Sequence, residues 1–553
     1  MIKNIKEVLK EKVNQTLNYE VVIEVPRFGD ADLAIPLFQL AKMKNENPKN
    51  IFLEFEFLNS LAEIEKTKFV NGFLNIYLNR NISKTIIDEI YNEKSNYASM
   101  PINGETIVID YSSPNIAKSF GVGHLRSTVI GHSIKHIYEK LGYKVIGVNH
   151  LGDWGTQFGK MIIAYQKWGK KSEIEKAPIE ALQALYVKFH EEEKTDPSLT
   201  EKARLAFLRL EQNDPEMIEL WQWFKDESMK EFVETYKLLN VEFDSNAGES
   251  FYNDKMDSAI KELEAKGLLE IDDGATIVSL DDLPPALIKK SDGATLYMTR
   301  DLAALLYRYN TYKTNNVIYV VGNEQALHFK QLQSLIHKMG YDINVIHIGF
   351  GLVLMGGKKM STRSGTFKRL DDVIHEAIRL ADVAISSKNP NLANKGEVAI
   401  KIGVGAIIFN DLKNERHLNI DFNLENMLKF EGQTGPYLQY SGVRINSILR
   451  ANELSINDID YTVYETDEYY NIIKYLGTFK ENIERAKTTN MPSVIAKYLI
   501  DLAQMFNSFY GNIKIVTDNL TLTNTNLLFI TAIKEVLQEG MRILGISYLE
   551  EMW

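Results

Sequence analysis

With 553 residues and ordinary shares of apolar (45%) and charged (25%) side chains, the chain is too long for one hydrophobic core and is expected to fold as roughly two to four globular domains. Its lack of cysteine excludes disulfides, a thiol nucleophile and thiolate zinc sites and suits a reducing cytoplasm, and no apolar run approaches the roughly 18 residues that span a bilayer. The formal net charge of −11 argues against general nucleic-acid affinity, although the local field along a contact track decides any specific partner.

Residues 1–7 open an amphipathic helix without the apolar core of a signal peptide. Residues 29–36 lead into a helix through Leu40, and 69–78 read as a strand or hairpin of alternating character. The polar stretch 93–104, which contains Pro101, reads as a linker. An α+β domain is therefore expected over 1–100.

From 105 to 375 the pattern changes. An apolar strand at 106–111 is followed by a helix carrying Leu125, Val129, Ile134, Ile137 and Leu141, and then by a second strand at 143–148. That is the order a parallel βαβ unit requires. A second such unit lies at 317–321, 325–339 and 343–348, and a charged helical insertion of about 165–265 separates the two. Two βαβ halves split by an insertion describe a Rossmann-like parallel-sheet core. Over 376–553 helices follow one another at 399–409, 434–450, 493–510 and 531–544, which predicts an all-α bundle. The fold class expected is a multidomain α/β protein.

Between the first strand and its helix stands Ser113-Pro114-Asn115-Ile116-Ala117-Lys118-Ser119-Phe120-Gly121-Val122-Gly123-His124-Leu125-Arg126-Ser127. Small residues, one imidazole and two cations sit where free amides and the helix dipole favour an anion, and Gly121 and Gly123 allow close backbone approach. A packing turn is the plainer reading of two glycines; a nucleotide phosphate site is the functional one. A second candidate loop is Gly356-Gly357-Lys358-Lys359-Met360-Ser361-Thr362-Arg363-Ser364-Gly365, which offers mobile backbone, cations and hydroxyls.

The first stretch resembles the first signature of class I aminoacyl-tRNA synthetases, in its arginyl-tRNA synthetase form, with Gly121 in place of that signature's first histidine. The second loop resembles the other class I signature, with Lys359, Met360 and Ser361 matching and Thr362 where a second lysine belongs. The resemblance implies that Lys118, His124, Lys359, Ser361 and Arg363 are catalytic, and that Gly121, Gly123, His124 and Met360 hold ATP. Lys118, with Arg363 second, would replace the missing lysine. His150 is a further candidate for ATP contact.

A guanidinium carries five N–H donors in a plane, so a pocket for it should offer carboxylates and amide oxygens in a fork. The resemblance implies that Asn115 and Gln325 take the α-amino and carboxylate end of arginine and that Tyr297, Asp301 and Asp110 surround its guanidinium. Tyr297 and Asp301 follow an expected Asp292-Gly293 hairpin turn. The stretch 151–159 reads either as pocket wall or as structure. Tyr437, Tyr440 and Phe509 are candidates for stacking unpaired bases. The remaining histidines, including His132 and His136, read as structural, and no tightly bound metal is expected.

By this resemblance the chain would be a cytoplasmic, monomeric ligase. It would use ATP with accompanying Mg²⁺, L-arginine and the tRNA for arginine, with no membrane partner. The alternatives are a class I synthetase for lysine, a nucleotidylyltransferase of the same fold, and a non-catalytic tRNA-binding paralogue.

Overall fold

The computed structural model describes residues 2–26, 29–291, 296–355, 357–359 and 369–552. It divides into two compact units, one of Met1–Ser99, Tyr440–Arg485 and Lys497–Gly540, the other of Met100–Gln439, Ala486–Ala496 and Met541–Trp553.

In the first unit, strand Leu33–Pro36, strand Phe73–Leu78 and strand Ile64–Val70 form an antiparallel sheet in that spatial order. The alternation at 69–78 resolves as a hairpin. Asn71 and Gly72 both take positive φ at its turn (49° and 84°), as a tight two-residue turn demands. A Cβ on Gly72 would come within 2.3 Å of the Phe38 ring, so packing and backbone both require glycine there.

Helices from the distant segment of this unit share the core with that sheet. Buried Asp32 accepts from the Leu78 amide (2.8 Å) and pairs with Lys474 (2.8 Å) on helix Asp467–Leu476. Tyr97 stacks on Phe479 with ring centroids 6.4 Å apart. Phe509, a candidate for base stacking, is instead a core residue: it is buried edge-on between Tyr469 and Phe529. Tyr440 is half-buried, with the Arg444 guanidinium 4.8 Å from its ring centre.

The second unit is built on a four-stranded parallel sheet. Its spatial order is Asn344–Phe350, Asn316–Gly322, Thr106–Asp110, Lys144–Val148. Helix Val122–Lys140 joins the first strand to its outer neighbour, and helix Ala326–Lys338 joins the other two, as the two βαβ patterns predict. The connections diverge between strands Thr106–Asp110 and Asn316–Gly322. Open α/β sheets bind ligands outside the carboxyl ends of strands at such a switch point.

The long connection from the sheet runs through helices Thr156–Trp168, Pro178–Glu192, Ser198–Glu211, Pro215–Leu238 and Met256–Ala265. It then forms an antiparallel sheet of Glu270–Asp272, Ala275–Leu280 and Leu283–Lys289, which the sequence pattern did not reveal. The Asp292-Gly293 turn lies outside the described residues; helix Tyr297–Tyr312 begins just after it. Short strand Val353–Met355 pairs with Lys358–Lys359 and with Ile420–Asp421. Among the described residues no helix is long and apolar enough to cross a membrane.

Candidate active site

A cavity of ≈ 970 Å³ opens at the switch point. Its wall includes Asn115, Lys118, Gly121, Gly123 and His124 from the first signature, and Phe350 to Val353 from the end of the neighbouring half. The turn that supplies the first group is held in an unusual conformation. Ser112, Ser113 and Ala117 take positive φ (74°, 51° and 61°), a region that L-residues with a Cβ occupy at a cost.

Surrounding groups enforce that conformation. The Ser112 amide donates to Ser127 Oγ (2.9 Å) and the Ser113 amide to Asn149 Oδ1 (3.1 Å). Ser112 Oγ lies 2.7 Å from the buried hydroxyl of Tyr236, and the Ala117 amide donates to Ser228 Oγ (3.2 Å). Tyr236 and Ser228 both belong to helix Pro215–Leu238. Asn115 pairs with Gly152 on the adjoining loop: the Ile116 amide donates to the Gly152 carbonyl and the Gly152 amide to that of Pro114.

His124 stands in the first turn of helix Val122–Lys140, with its ring stacked 5.5 Å from that of Phe120. The Gly121 amide donates to Nδ1 of His124 at 3.2 Å. Burial lowers the imidazole to about 4, with the Lys118 charge acting in the same direction. The ring is therefore neutral near pH 7. With Nδ1 accepting, its proton sits on Nε2, which makes that atom a hydrogen-bond donor. Gly121 thus orients the histidine through its backbone. Lys118 is exposed on the cavity wall.

Only the backbone of Lys359 is described, paired with Leu354, and Met360, Ser361 and Arg363 lie outside the described residues. Beyond them the chain returns beside the first signature. Arg369 forms a bridge with Gly121, and the Leu370 amide donates to the Phe120 carbonyl (2.9 Å). Arg369 also pairs with Glu231 (2.8 Å).

The residues expected to surround arginine are less closely gathered. Asp110, Tyr297, Asp301 and Gln325 are not on the cavity wall. The buried carboxylate of Asp110 accepts from Arg308 Nη2 at 2.7 Å on one oxygen and from the Ser113 hydroxyl at 3.0 Å on the other. Tyr297 is 69% exposed, and Gln325 is exposed at the end of a short 3₁₀ turn.

Asp301 lies 2.6 Å from Nε2 of His328. Burial alone would raise its pKa, but the His328 hydrogen bond, together with the fields of His328, His150 and Arg308, leaves it lowered. His150 lies against Arg308 (3.4 Å) and the Tyr252 ring rather than on the cavity wall.

A residue that sequence reading missed joins this charged neighbourhood. Glu249 is 3.5 Å from Arg300, and burial raises its carboxyl to about 7 against the pull of Arg300, with Asp301 and Asp153 pushing the same way as burial. It sits among many carboxylates of a charged region, where nothing in the sequence distinguishes it. Arg308 did carry a signal: a cation inside the apolar run Leu302 to Leu306 and beyond implies a buried partner. Asp153 resolves as structure, fully buried between Lys225 (2.6 Å) and Ser250 (2.8 Å).

Comparison with known proteins agrees with this architecture. Residues 86–424 match the family model for the class I (R) tRNA synthetase catalytic domain, so the core is that of a class I aminoacyl-tRNA synthetase. Residues 438–552 match the DALR anticodon binding domain and residues 1–78 the arginyl tRNA synthetase N terminal domain. The arginine–tRNA ligase of Exiguobacterium sp. (strain ATCC BAA-1283 / AT1b) is 49% identical over 541 residues, 96% of each chain. Arginine–tRNA ligase 1 of Bacillus cereus (strain ZK / E33L) is 49% identical over 540 residues, 96% of this chain and 95% of the relative. The solved Thermus thermophilus arginyl-tRNA synthetase superposes with a TM-score of 0.84 at 24% identity, covering 99% of this chain and 100% of the other, a likeness of fold. The chain belongs to the arginyl-tRNA synthetase family.

Proposed function

We propose that the chain joins L-arginine to its tRNA in two steps on the cavity at the switch point. In the first, a carboxylate oxygen of arginine attacks the α-phosphorus of ATP; the bond to the β-phosphate oxygen breaks, and pyrophosphate leaves with the negative charge. In the second, a terminal ribose hydroxyl of the tRNA attacks the carbonyl carbon of the adenylate, loses its proton, and AMP departs. No protein nucleophile is required. Mg²⁺ enters as part of the ATP substrate.

The observation that supports this most is the meeting of Lys118 and His124 on one wall of the cavity. Neutral His124 would donate from Nε2 to a phosphate oxygen, and Lys118 would meet the charge that grows on the leaving pyrophosphate. Donors placed in advance act where charge develops and need no reorganisation during reaction. Lys359, Ser361 and Arg363 would complete the phosphate site, with Gly121, Gly123 and Met360 bordering the nucleotide. Asn115 and Gln325 would take the α-amino and carboxylate end of arginine, and Tyr297 and Asp301 its guanidinium. Glu249, beside Arg300 and within the field of Asp301, would add a further carboxylate near that end.

In this reading residues 105–375 carry the chemistry, while 1–100 and 376–553 engage the tRNA. The enzyme works in the cytoplasm as a monomer, which sedimentation with and without tRNA checks. The activity itself is tested by ATP–pyrophosphate exchange with each amino acid in turn, with and without tRNA. Exchange with arginine in the presence of tRNA is expected. Exchange with lysine instead, or none with arginine plus tRNA, overturns the proposal.

A further inference from the structure

Two residues beyond His124 on the same helix, the Arg126 guanidinium is fully buried at the back of the cavity. Its Nε is 3.1 and 3.3 Å from the two carboxylate oxygens of Asp411, which is itself buried at the end of helix Lys395–Leu412. Its Nη1 donates to the carbonyls of Gly351 (2.9 Å) and Leu418 (2.7 Å). Nη2 is buried without a hydrogen-bond partner among the described residues. Burial raises the Asp411 carboxyl, and Arg126 only partly offsets this. Such a pair is costly to bury, and apolar residues of similar volume often fill such a space at least as stably. Packing alone therefore does not account for it.

The two carbonyls suggest what does. Phe350, Gly351, Leu352 and Val353 form part of the cavity wall, and strand Val353–Met355 continues towards Lys359. This segment touches its neighbour backbone to backbone. The Gly351 amide donates to the Arg416 carbonyl (3.0 Å), and the Ile420 amide donates to the Leu352 carbonyl (3.0 Å). A Cβ on Gly351 would come within 2.5 Å of the Leu418 carbonyl oxygen. Arg126 bonds to both sides of that contact at once, and its position on the His124 helix sets the distance between the two walls.

We infer that Arg126 is a positioning residue for ATP. Its fork, anchored on Asp411, holds the 350–353 wall and the root of the second signature in register with His124. The inference rests on the reading of this cavity as the ATP site.

Arg126→Lys keeps a charge for Asp411 but replaces the planar fork with a single ammonium. ATP affinity is measured by calorimetry, which needs neither arginine nor tRNA, and the two KM values by pyrophosphate exchange with tRNA present. Since an ångström of misplacement costs up to about 10²-fold, a roughly tenfold loss of ATP affinity and a matching rise in its KM are expected, with the KM for arginine within about twofold of wild type. A merely structural role would lower the folded fraction and hence kcat while leaving both KM values unchanged. That result overturns the inference, as does a rise shared equally by both substrates. Asp411→Asn, which keeps the hydrogen-bonding shape, is the second variant and is judged by the same criteria should Arg126→Lys fail to fold. Wild-type protein that binds ATP without arginine-dependent exchange would contradict the proposed activity and leave the calorimetric comparison decisive for Arg126.

Discussion

The amide of Gly121 and Nδ1 of His124 are 3.2 Å apart, a hydrogen bond that fixes which nitrogen of the ring faces the ligand. Because burial lowers this imidazole to about 4, activation is expected to be independent of His124 protonation between pH 5.5 and 8. Removing one such donor typically costs on the order of 10²–10³ in rate, and His124→Asn should lose that much. A pH–rate profile of adenylate formation is the check. A limb near pH 6.5 that vanishes in the variant would mean a cationic histidine instead. The same shift affects stability: the unfolded ring gains a proton below about 6.5 that the folded ring refuses until about 4, so stability falls as pH drops through that window.

Lys118 is an exposed cation on the cavity wall, and Thr362 cannot supply the charge of a lysine. Lys118→Ala should slow single-turnover activation at least about tenfold, in line with the loss of one charge-stabilising donor. Lys118→Arg should retain much of the rate. A loss of less than about twofold in the alanine variant would transfer the role to Arg363.

Glu249 offers a pH signature of its own. Burial raises its carboxyl from 4.5 to about 7, and a bound guanidinium would draw it into the ionised form. Apparent affinity for arginine should therefore rise between pH 6 and 8, by up to roughly tenfold, and the slope should disappear in Glu249→Gln. An unchanged slope would remove Glu249 from the pocket. For the folded protein alone the sign is opposite: the contribution of the protonated carboxyl is full below its ordinary value of 4.5 and is lost as pH rises through about 7.

We propose that Asp110 serves chiefly as the buried counter-charge of Arg308. Asp110→Asn leaves Arg308 buried without its counter-charge, which should cost about 3–5 kcal/mol of stability, read as a lowered urea midpoint. Pairing it with Arg308→Met should restore most of that. The KM for arginine in the folded fraction should stay within about twofold of wild type, as expected of a residue that meets no ligand. A tenfold rise without loss of stability would return Asp110 to the substrate.

The parallel core was legible because both βαβ units carry their periodicity within short, continuous stretches, and each strand of the second unit lies beside its sequence neighbour. The first signature was legible for the same reason: Asn115, Lys118, Gly121, Gly123 and His124 are close in the chain and close in the cavity. Groups brought together across long separations were not. Asp110 looked free because its partner lies 198 residues away, and Asp411 reaches Arg126 across 285. Phe509 shows the ambiguity of aromatic residues at helical spacing, where burial and base stacking favour the same side chain. The small antiparallel sheet from Glu270 to Lys289 was hidden by two consecutive prolines and a charged first strand.

Helix Pro215–Leu238 has a consequence for how the enzyme can be taken apart. Its Tyr236 and Ser228 brace the left-handed serines and alanine of the phosphate turn, and its Glu231 grips Arg369 on the far side of the second signature. Backbone that occupies disfavoured torsions relaxes when its supports are withdrawn. A minimal catalytic fragment cut down to the parallel sheet and its two crossover helices would lose the geometry of the first signature and the anchor of Arg369 in one stroke. The intervening helices are therefore not a detachable module but part of the frame that any trimmed or transplanted version must keep.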